Sequence, residues 1–286
     1  MVAPPTDGMT EAGRRLARRL ARLLALLLAV ATVAAQIAYP LVHGASRSTL
    51  TVVTVVAFFG ASVTHALATR GARWTAVLVL VTAGGGLLAE AAGVATGAPF
   101  GRYTYAGSLG AKAFGVPLVI PLAWTMMAYP AYVVAGRLTA GRLGRGLVTG
   151  AALASWDLFL DPQMVDAGHW RWAHPTPHLP GVPHVPLSNY AGWLVVAALM
   201  GLLLVGVLPH RSPAGDAVPI GLYLWTYASS LLAHAAFFGL PGSAAWGGLG
   251  MGLVALPLAR SLLGPLPLGP LPLGRSLLVR LPLGRR

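Results

Sequence analysis

The chain has 286 residues, 56% of them hydrophobic and only 9% charged, with seven acidic residues, no cysteine and a formal net charge of +13. This composition argues against a soluble globular domain, and the missing cysteines exclude disulfides, thiolate metal sites and a Cys nucleophile. The positive charge does not indicate nucleic acid, because the basic residues are scattered between apolar runs rather than gathered on one polar face.

Residues 1–19 read as a basic leader, loose over 1–13, and residues 20–261 as a membrane domain. Eight apolar runs, at 20–42, 49–69, 74–96, 117–136, 146–164, 189–208, 218–239 and 243–261, can each cross a hydrocarbon core of about 30 Å as a helix. The first is longer than the apolar part of a secretion signal, although Val33-Ala34-Ala35 imitates a cleavage site, so it is read as a span. The eighth is rich in Gly and ends at Pro257; if it did not cross, seven spans would remain. Residues 262–286 repeat Leu-Pro-Leu-Gly at 266–269, 271–274 and 281–284. Proline at that density cannot continue a helix, so a disordered or interface-lying tail is expected.

The expected fold is thus all-α, a polytopic transmembrane helical bundle of about eight spans. Charge sets its orientation. The leader, the second, fourth and sixth gaps and the tail carry 16 basic residues; the opposite side carries Arg47, Arg102, Lys112 and Arg171. By the positive-inside rule both termini are cytoplasmic. Gly146/Gly150 and Gly248/Gly252 have the spacing of close helix packing. Gly247-Gly248-Leu249-Gly250 is not a nucleotide loop, since no strand precedes it and no Lys-Ser/Thr follows.

Three carboxylates, Glu90, Asp157 and Asp161, fall inside apolar runs. An ionised carboxylate at a bilayer centre costs roughly 2.5–3.5 kcal/mol, so such groups face a partner, a cavity or a substrate. At 1.5 Å per residue, Glu90 lies about 24 Å along the third span, Asp161 about 22 Å along the fifth and His234 about 24 Å along the seventh. All three share a layer in the outer part of the membrane. Asp157 lies one turn deeper on the same helix face as Asp161. Grouped carboxyls in low dielectric favour retaining a proton, which suits a general acid. The structural alternatives are interfacial water for Asp161 before Pro162, and an ion pair between Glu90 and Arg102.

His65 sits near the inner end of the second span and reads as a packing residue. The 165–188 loop holds His169, His174, His178 and His184 with Trp170 and Trp172. Pro175 and Pro177 break any helical His-x3-His pair, so a tryptophan-anchored interfacial loop is preferred to a metal site.

Five stretches carry a family resemblance: Pro99-Phe100-Gly101-Arg102-Tyr103-Thr104-Tyr105, Gly115-Val116-Pro117, Pro121-Leu122-Ala123-Trp124, Trp156-Asp157-Leu158-Phe159-Leu160-Asp161-Pro162-Gln163-Met164, and Val185-Pro186-Leu187-Ser188-Asn189-Tyr190-Ala191-Gly192-Trp193. Together they resemble the membrane-bound carotenoid 1,2-hydratases, of the bisanhydrobacterioruberin hydratase and γ-carotene 1′-hydratase type, over roughly residues 50–260. The Trp-Asp-x3-Asp-Pro-x-Met run is the specific part, and the His- and Pro-rich insert at 173–184 departs from the pattern.

The resemblance implies acid-catalysed addition of water to the terminal double bond of an acyclic carotenoid end. It implies no metal and no cofactor, and a substrate drawn from the bilayer of a prokaryotic cell membrane. Partners would be that carotenoid, membrane lipids and other carotenoid-biosynthesis enzymes. On this reading Asp157 donates the proton, Asp161 positions or deprotonates water, and Glu90 tunes or shares the proton. Tyr103, Trp124, Tyr129 and Trp156 offer ring faces to a cation. Asn189 helps hold the water, Arg102 keeps an outer carboxylate ionised, and His234 joins the layer. Three alternatives stand beside it. One is end-group cyclisation or isomerisation by the same acids. Another is a proton-coupled transporter using Glu90, Asp157, Asp161 and His234, although no inverted repeat is visible. The last is a structural carotenoid-binding protein.

Overall fold

The computed structural model describes residues 11–209 and 215–263. Eight helices run in chain order: α1 (Glu11–Ala38), α2 (Gly44–Arg70), α3 (Ala72–Thr96), α4 (Val119–Leu138), α5 (Arg142–Asp166), α6 (Leu187–Val207), α7 (Ala217–Ala236) and α8 (Pro241–Leu263). Each corresponds to one apolar run of the sequence, and the chain is an all-α polytopic bundle. Six of them are long and apolar enough to cross a membrane. The other two, α5 and α7, fall short because they carry the polar side chains that face inward, Asp157 and Asp161 on one and Thr226, Ser229 and Ser230 on the other.

The first helix begins at Glu11, inside the stretch expected to be a leader, so Arg14, Arg15, Arg18, Arg19 and Arg22 are helical. The last extends to Leu263, while the Leu-Pro-Leu-Gly repeats lie outside the described residues. Helix α4 sits at the centre. It is apolar on every side and buried from Val119 to Ala135 almost without interruption, as a helix surrounded by others must be. Helices α1 and α6 turn leucines such as Leu20, Leu27, Leu199 and Leu203 outward.

Two local features shape the centre. Residues Leu80–Gly84 of α3 form a π turn, followed by Gly85 and Gly86. A Cβ on Gly86 would lie 2.5 Å from the Trp124 ring, so only glycine admits that indole. Helices α5 and α6 cross at Gly146, Gly150, Ala198 and Gly201, where a Cβ on Gly201 would lie 2.3 Å from the Gly146 carbonyl oxygen. The small-residue spacing at Gly146/Gly150 therefore marks a real close crossing, and it fixes Asn189 of α6 against the acids of α5. Gly201→Val forces backbone apart and is expected to cost about 3 kcal/mol or more. Gly206→Val on the same helix, which meets nothing within 4 Å, is the control. Folded yield in detergent and thermal unfolding should separate the two.

The α3–α4 and α5–α6 connections carry short strands: β1 (Tyr103–Tyr105), β2 (Lys112–Ala113), β3 (Val116–Pro117) and β4 (Trp170–Trp172). β2 and β3 form a hairpin, and β1 pairs antiparallel with β4 in the register Tyr103↔Trp172, Thr104↔Arg171, Tyr105↔Trp170. Alternation along the two strands sends the four aromatic rings into the bundle and Thr104 and Arg171 outward. The 165–188 segment is thus partly a strand rather than only an interfacial loop. His169, just before β4, is buried. Its ring bonds Ser108 Oγ at 2.8 Å, and its carbonyl accepts from Ala106 N–H at 2.8 Å. Burial lowers its pKa and keeps it neutral. His174, His178 and His184 are exposed. Among the described residues, no three His, Cys, Asp or Glu side chains converge as a metal set.

Candidate active site

The acids of α5 and the glutamate of α3 meet around one cavity, in the half of the bundle beneath the β1–β4 ribbon. Glu90 is buried, and three neutral donors hold it. Tyr103 and Tyr105 hydroxyls donate to Oε2 at 2.5 and 2.8 Å, and Trp124 Nε1–H donates to Oε1 at 3.1 Å. Burial first, and then the charge of Glu90, raise the pKa of both phenols, so they remain donors at any working pH.

Asp157 and Asp161 stand one turn apart on α5. The Asn189 amide reaches from α6 and spends one N–H on each, at 2.8 Å to Asp157 Oδ2 and in a shorter contact to Asp161 Oδ2. The single amide nitrogen therefore holds the two carboxyls side by side. Trp170 Nε1–H donates to Asp161 Oδ1 at 3.0 Å, so both oxygens of Asp161 are engaged. Asp157 is fully buried, and its Oδ1 has no hydrogen-bond partner among the described residues. Asp161 lines the cavity; Asp157 lies behind it.

Indoles make much of the remaining wall. Trp124 and Trp193 stack at 4.1 Å with 7° between planes, and Trp156 meets Trp193 edge-on at 6.2 Å. Their faces present negative electrostatic potential, which suits a cationic centre. The site therefore combines a carboxyl pair able to share a proton, a separate glutamate held by three donors, and π faces in a low-dielectric pocket.

The structure brings together Glu90, Asp157, Asp161, Tyr103, Trp124, Trp156 and Asn189. It does not bring Tyr129, Arg102 or His234 to the same wall. Tyr129 belongs to a separate cluster, where its hydroxyl meets His65 Nδ1 at 2.7 Å and also receives Arg70, which in turn pairs with both oxygens of Asp216 at 3.0 Å. His65 is a packed, bonded residue of that cluster. Arg102 is exposed and forms no ion pair among the described residues, because the oxygens of Glu90 already accept from Tyr103, Tyr105 and Trp124. His234 bonds Ser243 at 2.8 Å and Gln163 at 3.3 Å and meets Phe159 and Phe238 edge-on; Gln163 and these two rings line the cavity, and His234 itself does not.

Tyr105, Trp170 and Trp193 are site residues that sequence reasoning missed. The signal for the first two was present: Tyr-Thr-Tyr and Trp-Arg-Trp each alternate aromatic with polar at a strand period.

A family described as "Carotenoid biosynthesis protein" matches residues 49–257. The bisanhydrobacterioruberin hydratase of Haloarcula japonica is 35% identical over 119 residues, covering 40% of this chain and 39% of that protein. The matched region thus spans about two-fifths of the length of that curated relative. No solved structure matches the chain.

Proposed function

The chain belongs to the carotenoid biosynthesis protein family, and from that premise we propose that it hydrates the terminal double bond of an acyclic carotenoid end group, without a cofactor. The observation that carries the reading is the Asp157–Asp161 pair, bridged by Asn189, on an indole-lined cavity inside an apolar bundle.

Two carboxyl groups in contact need one proton between them, because two adjacent anions in low dielectric repel strongly. Asp161, the member on the cavity wall, passes that proton to C-2 of the terminal alkene. The π electrons form the new C–H bond, and C-1 becomes a tertiary cation. The indole faces and the Glu90 charge stabilise it. Water attacks C-1, and the resulting oxonium returns a proton to the carboxyl pair. Substrate plus water thus gives a tertiary alcohol, and the pair ends as it began. Assigning delivery to Asp161 and proton storage to Asp157 reverses the roles expected from the sequence, because Asp157 sits one turn deeper and does not line the cavity.

The reading places the protein in a prokaryotic cell membrane, with both termini on the cytoplasmic side that its 16 basic residues favour. The carotenoid enters from the bilayer after other enzymes of the same biosynthesis have built it.

Pigment analysis by liquid chromatography and mass spectrometry, in a host making lycopene or γ-carotene, tests the proposal. A product heavier by one water per reacted end is expected. An isomeric product would move the assignment to cyclisation, and no new pigment from a stably produced protein would favour transport. Within the hydration reading, Trp170→Phe keeps the ring beside Tyr105 but deletes the N–H on Asp161. Product per folded protein should fall about tenfold, the worth of a hydrogen bond to a charged group, and thermal unfolding should drop as well, through the lost buried bond and the space the smaller ring leaves.

A further inference from the structure

One side of the cavity has a chemistry that the polyene does not require. Helices α1, α2 and α7 and the turn after α1 contribute Gln36, Tyr39, Thr51, Thr54, Thr226 and Ser229 to its lining. Thr226 and Ser229 donate their hydroxyl hydrogens back to helix carbonyls, at 2.8 and 3.5 Å, which leaves oxygen lone pairs as acceptors; Thr51 does the same at 3.1 Å and has one further partner, His169 Nε2 at 3.4 Å. Tyr39 is buried, and its hydroxyl has no hydrogen-bond partner among the described residues; the same holds for Thr54 Oγ1. Buried polar atoms lining a cavity are ordinarily satisfied by a ligand or by ordered water. An acyclic carotenoid end is pure hydrocarbon and satisfies none of them.

We propose that this hydroxyl wall is the binding site for the attacking water, with Tyr39 and Thr54 as its positioning residues. The inference rests on the hydration reading and deepens it. The wall's acceptors take the hydrogens of the water, turning an oxygen lone pair toward C-1, while the free O–H groups hold the water in place. Its helices differ from those that carry the acids, so protonation and water capture are separable functions of one cavity. Tyr39 is itself fixed independently of its hydroxyl: its ring meets Phe238 edge-on at 5.8 Å, and the Arg47 guanidinium lies 5.3 Å from its centroid. Tyr39→Phe therefore removes the hydroxyl and keeps the packing.

The test uses membranes containing the full chain, supplied with lycopene in D2O. Two quantities are read by mass spectrometry: tertiary alcohol formed, and deuterium taken into recovered lycopene by cations that lose a proton instead of capturing water. In the Tyr39→Phe/Thr54→Val double variant, alcohol should fall about tenfold while deuterium uptake persists or rises, since about one hydrogen bond's worth of water positioning is lost. Thr54→Ser, which retains the hydroxyl, should restore alcohol relative to Thr54→Val. Parallel loss of alcohol and deuterium would show a merely structural wall and overturn the proposal, as would unchanged alcohol. If the wild-type protein gives neither alcohol nor deuterium uptake, the hydration reading itself fails, a result distinct from failure of the wall.

Discussion

Asp161→Asn is expected to lower hydration by about 10²–10⁴-fold, the usual contribution of a positioned general acid. Asp157→Asn should fall in the same range although that residue does not line the cavity, because on the proposed mechanism the two carboxyls share one proton. The double variant should be little worse than the poorer single one. Groups that act as a unit lose their joint contribution once, not twice. Two independent acids would instead give multiplied losses. The substitutions are sterically mild, and an asparagine amide oxygen can still accept from Asn189; at position 161 the new NH2 then faces the Trp170 N–H, a cost of about 1–3 kcal/mol that makes yield per folded protein the quantity to read. Alcohol formed per unit of folded protein, measured for the wild type, both single variants and the double variant, decides the matter. A single variant with near-wild-type yield would remove that aspartate from the chemistry.

Glu90→Gln should have the second largest effect, for a different reason. Glu90 accepts from Tyr103, Tyr105 and Trp124. Glutamine replaces one acceptor oxygen by an NH2 group that faces donors, so at least one buried donor loses its partner. That alone costs about 1–3 kcal/mol of stability. On the proposed mechanism the variant also removes a negative charge beside the cationic centre, and a lost electrostatic stabiliser of this kind lowers turnover about 10²–10³-fold. Tyr105→Phe separates the two contributions. It deletes one donor and leaves the charge, so activity should drop far less. Thermal unfolding of both variants in detergent, beside product yield, shows whether activity tracks charge or stability. If Tyr105→Phe were as inactive as Glu90→Gln, Glu90 would be a structural anchor for the ribbon rather than a charge used by the reaction.

Much of this arrangement was legible along the chain. Apolar runs located all eight helices, since a residue's hydropathy reports its surroundings without knowledge of its neighbours in space. The i, i+4 spacing put Asp157 and Asp161 on one face of α5. Rise per residue brought Glu90 to a matching depth, and the family pattern drew in Asn189, Trp124, Trp156 and Tyr103. Depth failed where it was not combined with facing. His234 was expected in the same layer but bonds Ser243 and Gln163 and stands behind the cavity wall that Gln163, Phe159 and Phe238 form. Tyr129, on the central helix, turns toward His65 and Arg70.

Helical periodicity and the scarcity of charge thus determined, by themselves, that this protein is a membrane bundle with buried acids at one level. The tertiary structure alone decided what each acid meets. The pairing of Tyr105 with Trp170 across the β1–β4 ribbon depends on the register of two strands far apart in the chain, and local periodicity carries no information about register. The crossing of α5 and α6 at Gly150 and Gly201 sets which amide stands between the aspartates. Rotation of each helix about its own axis, fixed by packing against all its neighbours at once, decided that Asp161 faces the cavity and Asp157 stands behind it.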